Sequence, residues 1–348
     1  MAFNLTVDDF DPLVAYSNYG DWQTPNPQDN PTWWNATQDV TGSQWHQDTY
    51  HLTTVSGAQA SFNFTGSALQ IFGGTGANPN YTVSIDNNPS TLTTANNTAG
   101  RTLLYGNDSL PFVPHTVQIT NHGGGLLLDL FVVGTKLGGD GATFTNTTVD
   151  DRSTQTLSFQ PGGGWTQQTG DNFFNQTSTY TGAQGANVET NFTGSAVWVY
   201  GDQVNDHGSY TVYLNNTAVG TYTQRSGCAN GYAKSCEKLH GLAFFAGPLP
   251  QGQHQLKIVN AGTNGQGQQT FFDFDYLEYT TPSVWPQLAV AGASTSAGGS
   301  ASGTNTGSAT SSAPATTSSH KSAAADGGFG TALLAVVAAA WVVRKVVS

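Results

Sequence analysis

The hexapeptide NFTGSA occupies residues 63 to 68 and, letter for letter, residues 191 to 196. Extended outward, GAQASFNFTGSALQIFGG (57 to 74) aligns with GANVETNFTGSAVWVYGD (185 to 202). YTVSIDNNP at 81 then aligns with YTVYLNNTA at 210, and HTVQITN at 115 with HQLKIVN at 254. TVDD stands at 6 to 9 and at 148 to 151, and LDLFVV (128 to 133) lies on FDYLEY (274 to 279). The partners keep their order while their spacing drifts, so the loops differ in length. The chain therefore reads as two copies of one unit, residues 1–140 and 141–282, each far longer than a solenoid repeat.

Each copy reads as all-β. Leu69 and Ile71 alternate with Gln70 and Phe72, and Val197 and Val199 alternate with Trp198 and Tyr200. Such a period of two sends one set into a core and the other to the opposite face of a sheet. The strands are short, are separated by Gly, Asn and Pro, and have no segment of helical period between them. That pattern predicts two tandem β-sandwich or jelly-roll domains. The shared hexapeptide is expected to be a turn, eased by Gly66 or Gly194, that feeds a core strand beginning at Ala68 or Ala196. Because a core position should be apolar in both copies, the pairing of Gln70 with Trp198 predicts that this site faces outward or into a groove.

Composition narrows the setting. Charged residues are 9% of the chain, and 22 acidic against ten basic residues leave a formal net charge of -12. A nucleic-acid partner needs clustered Lys and Arg, which this chain lacks. Sequons begin at Asn4, Asn35, Asn63, Asn80, Asn96, Asn107, Asn146, Asn175, Asn191 and Asn215, and their density points to a glycosylated ectodomain. The two cysteines, Cys228 and Cys236, are expected to close a small loop as a disulfide in an oxidising compartment. The opening MAFNLTVDDFDP lacks the basic and apolar regions of a secretory leader, so a leader is expected to be missing from this sequence.

Residues 283–325 read as a disordered stalk of Ser, Thr, Ala and Gly without apolar periodicity. Within 326–348, the uncharged run from Gly327 to Val343 precedes Arg344 and Lys345. It reads either as a single transmembrane helix with its C-terminus inside or as a glycosylphosphatidylinositol signal with small residues near Ser322 to Ala324.

The acidic VDD, the strands GSYTVYLNN and PLPQGQHQLKIVN, and the closing FFDFDYLEY resemble the galactose-binding-like jelly rolls, which include many carbohydrate-binding modules. They are also similar to the tandem ectodomains of fungal surface proteins with a Ser/Thr stalk. The resemblance covers about residues 5 to 282 and implies a sugar or surface binder. It further implies a structural calcium ion tying the first and last strands through Asp8, Asp9 and Asp129 in one copy and Asp150, Asp151 and Asp275 in the other, since Ca²⁺ takes hard oxygen ligands. The family's usual N-terminal Glu pair is absent as such, and the competing reading has these carboxylates accepting hydrogen bonds from loop backbone and neighbouring side chains.

Aromatic faces suit sugar contacts, which makes Trp198, Tyr200, Trp165, Trp33 and Trp34 candidate ligand residues. Trp22 and Trp45 also stand in loops, and His207 beside Asp206 is a further candidate. No nucleophile elbow, metalloprotease motif or phosphate-binding glycine loop leads into a helix, and nothing indicates two carboxylates facing across a cleft. The expectation is therefore a cell-surface, membrane-anchored protein that is not an enzyme and that binds carbohydrate or serves adhesion. The alternative is a structural surface component without a ligand; a secreted glycoside hydrolase fits poorly.

Overall fold

The computed structural model describes residues 2–25, 44–76, 78–92, 100–226, 238–263 and 268–288. Among them, helical structure is confined to three-residue 3-10 turns, and the regular framework is strand. The first half contributes β1 (Ala2–Asp8), β2 (Ala15–Tyr16), β3 (His51–Thr53), β4 (Gln59–Gly66), β5 (Ala68–Thr75), β6 (Asn80–Ile85), β7 (Asn88–Leu92), β8 (Thr102–Asn107), β9 (Val113–Gly123) and β10 (Leu126–Lys136). The second contributes β11 (Phe144–Asp150), β12 (Leu157–Gln160), β13 (Thr166–Thr169), β14 (Thr177–Thr181), β15 (Asn187–Thr193), β16 (Ala196–Gln203), β17 (Ser209–Leu214), β18 (Thr217–Thr223), β19 (Lys238–Ala246), β20 (Gln253–Asn260), β21 (Phe272–Phe274) and β22 (Tyr276–Pro282).

In the first half, β1, β10, β5 and β8 lie side by side, with β3 also on β10, and face a sheet ordered β2-β4-β9-β6-β7. In the second, β11-β22-β16-β19 faces β12-β15-β20-β17-β18, and β13-β14-β21 forms a third sheet. The alternation read from the sequence holds in both: Leu69, Ile71, Val197 and Val199 are all 0% exposed. One tyrosine spans each core. Tyr81 donates its hydroxyl to the Leu104 carbonyl at 2.8 Å, and Tyr210 donates to the Ala243 carbonyl, so each buries a large ring without orphaning its polar tip.

The repeated hexapeptide is only half a turn. Its first four residues end β4 and its first three end β15, turning Phe64 and Phe192 inward, and Ala68 and Ala196 open the next strands as expected. Gly66 and Gly194 are required by close approach: a Cβ would meet the Gly134 carbonyl oxygen at 2.5 Å or the Thr280 carbonyl oxygen at 2.8 Å. The serine that follows donates its backbone N–H to those same carbonyls, 2.8 Å away in each half.

The halves also touch. Ala196, Trp198 and Leu242 belong to the apolar cluster of the first half, and the Asp11 carboxylate accepts the Leu242 N–H at 2.8 Å. Burial and the neighbouring Asp8 push the Asp11 carboxyl up to about 8. Lys238, 1% exposed, faces the same acids: burial pulls its ammonium down, opposed by Asp8, Asp11 and Asp9.

Among the described residues, no helix is long and apolar enough to cross a membrane. Cys228, Cys236, Asn35, Asn96, the stalk beyond 288 and the run 327–343 lie outside the described residues, as do Trp33 and Trp34.

Candidate functional site

Strand register fixes which side chains share the outer face of β11-β22-β16-β19. Trp198 stands opposite Glu278 on one side and Phe245 on the other, while Tyr200 stands between Tyr276 and Leu242. Asn146, Thr148 and Asp150 pair with Thr280, Glu278 and Tyr276. Directly opposed residues project from the same face of a sheet, so this face carries rows of rings interrupted by two carboxylates, Asp150 and Glu278, and several small polar groups. The Tyr200 and Tyr276 rings stack at 4.5 Å with 15° between their planes. Trp198 packs on Phe245 at 5.2 Å and meets Phe3, from the first half, edge-on at 5.8 Å.

Here the rings and polar groups enclose a cavity of about 290 Å³, lined among others by Trp198, Tyr200, Glu278, Asn146, Thr280 and Phe3. That is close to the lower end of ligand-pocket sizes. Trp198, read from the sequence as outward or groove-facing, is 9% exposed: it forms a wall of this cavity with much of its surface covered by Phe3 and Phe245. Burial pushes the Glu278 carboxyl up. Burial, reinforced by nearby acids and by Tyr276 in the case of Tyr200, also pushes the Tyr200 and Tyr276 phenols up, so both tyrosines stay neutral hydrogen-bonding groups.

A larger cleft of about 810 Å³ lies between the halves, lined by core residues such as Phe62, Phe64 and Phe244 and by Tyr222 and Thr221 at its rim. Its lining histidine, His115, is spent on Asp86 at 2.6 Å and on the Pro111 carbonyl at 2.8 Å.

The six aspartates read as calcium ligands occupy equivalent places in the two halves. Backbone N–H groups of Asp9 and Asp151 donate to the carbonyls of Asp129 and Asp275, both at 3.0 Å. Asp9 accepts from Thr49 at 3.0 Å and pairs with His51 at 2.6 Å, whereas Asp151 accepts from Thr177 and Thr179, each at 2.6 Å. The Asp129 carboxylate takes the His46 N–H at 2.7 Å and the Arg101 guanidinium at 3.5 Å. Asp275 takes the Phe174 N–H at 3.1 Å and lies 3.4 Å from His240. Asp8 receives Thr49 at 3.1 Å, and Asp150 receives Arg152 at 3.2 Å. These carboxylates are engaged by donors, and among the described residues no group of three or more His, Cys, Asp or Glu is arranged to hold a metal ion.

Other candidates lie apart from the cavity. Trp165 donates its indole N–H to the Gln160 carbonyl at 3.3 Å and packs edge-on against Phe159. His207 sits between Asp202 at 3.0 Å and Asp206 at 3.1 Å; Trp22 is fully buried, and Trp45 lies against Tyr50. Sequence reasoning passed over Tyr276 and Glu278. The signal was present in the alignment of LDLFVV with FDYLEY, which sets Leu130 against Tyr276 and Val132 against Glu278, the same kind of divergence as Gln70 against Trp198.

No protein-family profile matches the chain. It is 27% identical over 179 residues, 51% of its length, to the A type blood alpha-D-galactosamine galactosaminidase of Flavonifractor plautii, of which the match spans 15%. It is 30% identical over 131 residues, 38% of its length, to the A type blood N-acetyl-alpha-D-galactosamine deacetylase of the same organism, of which the match spans 14%. Solved structures overlay loosely: a family two carbohydrate esterase from Cellvibrio japonicus over 39% of this chain and 35% of that one, at TM-score 0.28 and 17% identity. The ANXUR2 extracellular domain from Arabidopsis thaliana overlays 81% of this chain and 96% of that one, at TM-score 0.27 and 10% identity. The chain is thus an all-β sandwich protein similar to portions of carbohydrate-acting proteins. The expectation that it is not an enzyme is corrected by the curated relatives, both of which are named for catalysis. It spans about one-seventh of their length.

Proposed function

We propose that this chain recognises carbohydrate through the outer face of β11-β22-β16-β19. The observation that carries the proposal is the cavity beside Trp198, Tyr200 and Glu278, where ring faces and neutral polar groups converge. A pyranose offers an apolar face for the rings and hydroxyls for Asn146, Thr280 and Glu278, the division of labour expected of such a site. The relatives' names, which refer to galactosamine and N-acetylgalactosamine, support a sugar ligand. In this reading, residues 1–140 and 141–282 are tandem jelly-roll copies displayed at a cell surface on the stalk 283–325 and held through the apolar run 327–343.

A glycan array probed with the full chain tests the reading. Specific retention of a glycan that is lost in Tyr200→Ala, while the variant stays folded at the assay temperature by circular dichroism, is the expected result. No retention of any glycan class by the folded wild-type chain refutes it.

A further inference from the structure

We propose that the cleft between the halves binds an extended peptide of another protein, taken up as one further strand on the free edge of β4. This inference is independent of the carbohydrate reading above.

Edge strands bound the cleft. Leu5, Ala15, Thr221 and Phe244 line it, and the strands that carry them, β1, β2, β18 and β19, each end their sheets. The side of β4 away from β9 is covered only in part, because β2 has two residues and pairs with Ala60 and Ser61. Asn63 and Thr65 follow on β4 and also line the cleft. Two observations fix the direction of their backbone. The Gln59 carbonyl accepts the Ser17 N–H at 3.0 Å, so it points away from β9, and every second residue of an antiparallel strand points the same way. Opposite Thr65 on β9 stands Pro114, which has no N–H to offer. The N–H and C=O groups of Asn63 and Thr65 therefore face the cleft side, and among the described residues no group beyond β2 is hydrogen-bonded to them.

The second half closes the same place. Thr193, the counterpart of Thr65 in the repeated hexapeptide, has its carbonyl capped by the Thr281 hydroxyl at 2.7 Å. Thr135 aligns with Thr281 and is 1% exposed, yet its hydroxyl has no hydrogen-bond partner among the described residues. The first half thus leaves a carbonyl and a buried hydroxyl unjoined where the second half joins them.

The chemistry of the cleft selects its occupant. N–H and C=O groups that recur every second residue are matched by another extended backbone. Free edges of soluble proteins are commonly guarded by charge, but none of the residues lining this cleft is Asp, Glu, Lys or Arg. A strand added to β4 alternates its side chains, one set beside Phe62 and Phe64 and the next beside Asn63 and Thr65. Apolar residues alternating with neutral polar ones suit that pattern, whereas a buried charge would find no counter-charge. Residues of the second half form the opposite wall, so a single strand can enter where the sheet of a second folded copy could not.

The test is fluorescence anisotropy with the full chain, produced without N-linked glycans because Asn63 heads a sequon. The probe is a labelled, terminally blocked heptapeptide of alternating threonine and valine, for which saturable binding is expected. Two further forms, N-methylated on every threonine or on every valine, each lose the N–H groups of one edge. At least one of them should bind about 10-fold or more weakly, the loss expected of two or more hydrogen bonds. Thr65→Pro removes an N–H that no strand uses and should weaken the unmethylated peptide by a similar factor, whereas Thr193→Pro at the equivalent place should not. Undiminished binding of both methylated forms overturns the proposal, as does the absence of saturable binding of the unmethylated peptide at millimolar concentration. These two results are read on the wild-type chain, however the variants fold. A folded Thr65→Pro chain that binds like the wild type also overturns it. A concentration-dependent dimer of the unliganded chain that Thr65→Pro dissolves assigns the edge to a second copy instead. Glycan retention and its loss in Tyr200→Ala stand or fall separately from all of these results.

Discussion

The two halves share their inner construction and differ on one outer face. Inside, the same contacts recur: a tyrosine hydroxyl on a cross-core carbonyl, a serine N–H after the hexapeptide on the neighbouring strand, an aspartate backbone pair closing the first and last strands. Outside, Gln70, Phe72, Leu130 and Val132 are replaced by Trp198, Tyr200, Tyr276 and Glu278 at the same register positions. Core positions are coupled to many neighbours, and a change there opens a cavity or overpacks. A position on an outer face answers only to what covers it. In the second half that cover includes Phe3 of the first, whereas Gln70 is exposed. The difference teaches that divergence between the halves falls where their outer faces are covered differently, and Trp198 both meets Phe3 and lines the cavity.

The largest expected contrast is at that pair. Trp198→Ala empties a position 9% exposed and should cost about 3–5 kcal/mol, while Gln70→Ala should change stability by no more than about 0.5 kcal/mol. Denaturant midpoints of the two variants measure this, and similar costs would show that the outer faces are packed alike.

Next comes pH. Burial works against a charge on His207, but Asp202 and Asp206 outweigh it and push its imidazole up to about 10. Its unfolded value is about 6.5, so the stabilisation is fully present below about 6.5 and is lost as pH rises through about 10, on the order of a few kcal/mol. The aligned residue in the first half is Asn78. His207→Asn should therefore flatten the fall in melting temperature between pH 7 and 10, and an unaltered slope would show that the Asp202–His207 pair contributes little.

Smaller and symmetrical effects should follow from Tyr81→Phe and Tyr210→Phe. Each removes one buried hydroxyl from its carbonyl and should cost about 1 kcal/mol; markedly unequal losses by urea unfolding would deny that the inner scaffolds are equivalent. The smallest effect is expected for Glu278→Val, which installs the first-half residue. It should leave the unliganded protein within about 0.5 kcal/mol or slightly more stable, because a half-buried carboxylate without a donor contributes no binding energy to the fold.

Much of this was legible beforehand, for a physical reason. Alternation at Leu69, Ile71, Val197 and Val199 is written one residue at a time, because each side of a pleated strand meets either core or surroundings. The acidic positions were legible too, since Asp9 and Asp151 repeat with the scaffold. Their partners were not: Thr49, His51, Thr177 and Thr179 lie 26 to 42 residues along the chain from the aspartates they reach. Trp198 and Tyr200 were singled out from the repeat, but Tyr276 and Glu278, far along the chain, join them only through the pairing of β16 with β22.

The sequence by itself determined the all-β character, the repeated segments and the inward set of the alternating strands, because periodicity and turn chemistry are local properties of the chain. Only the tertiary structure decided that Gly66 and Gly194 are demanded by carbonyl oxygens of distant strands. It also decided that Phe3 walls in Trp198 and that a carboxylate stands among three rings. Register between strands far apart in sequence is chosen by the packing of the whole sandwich, and no local pattern records it.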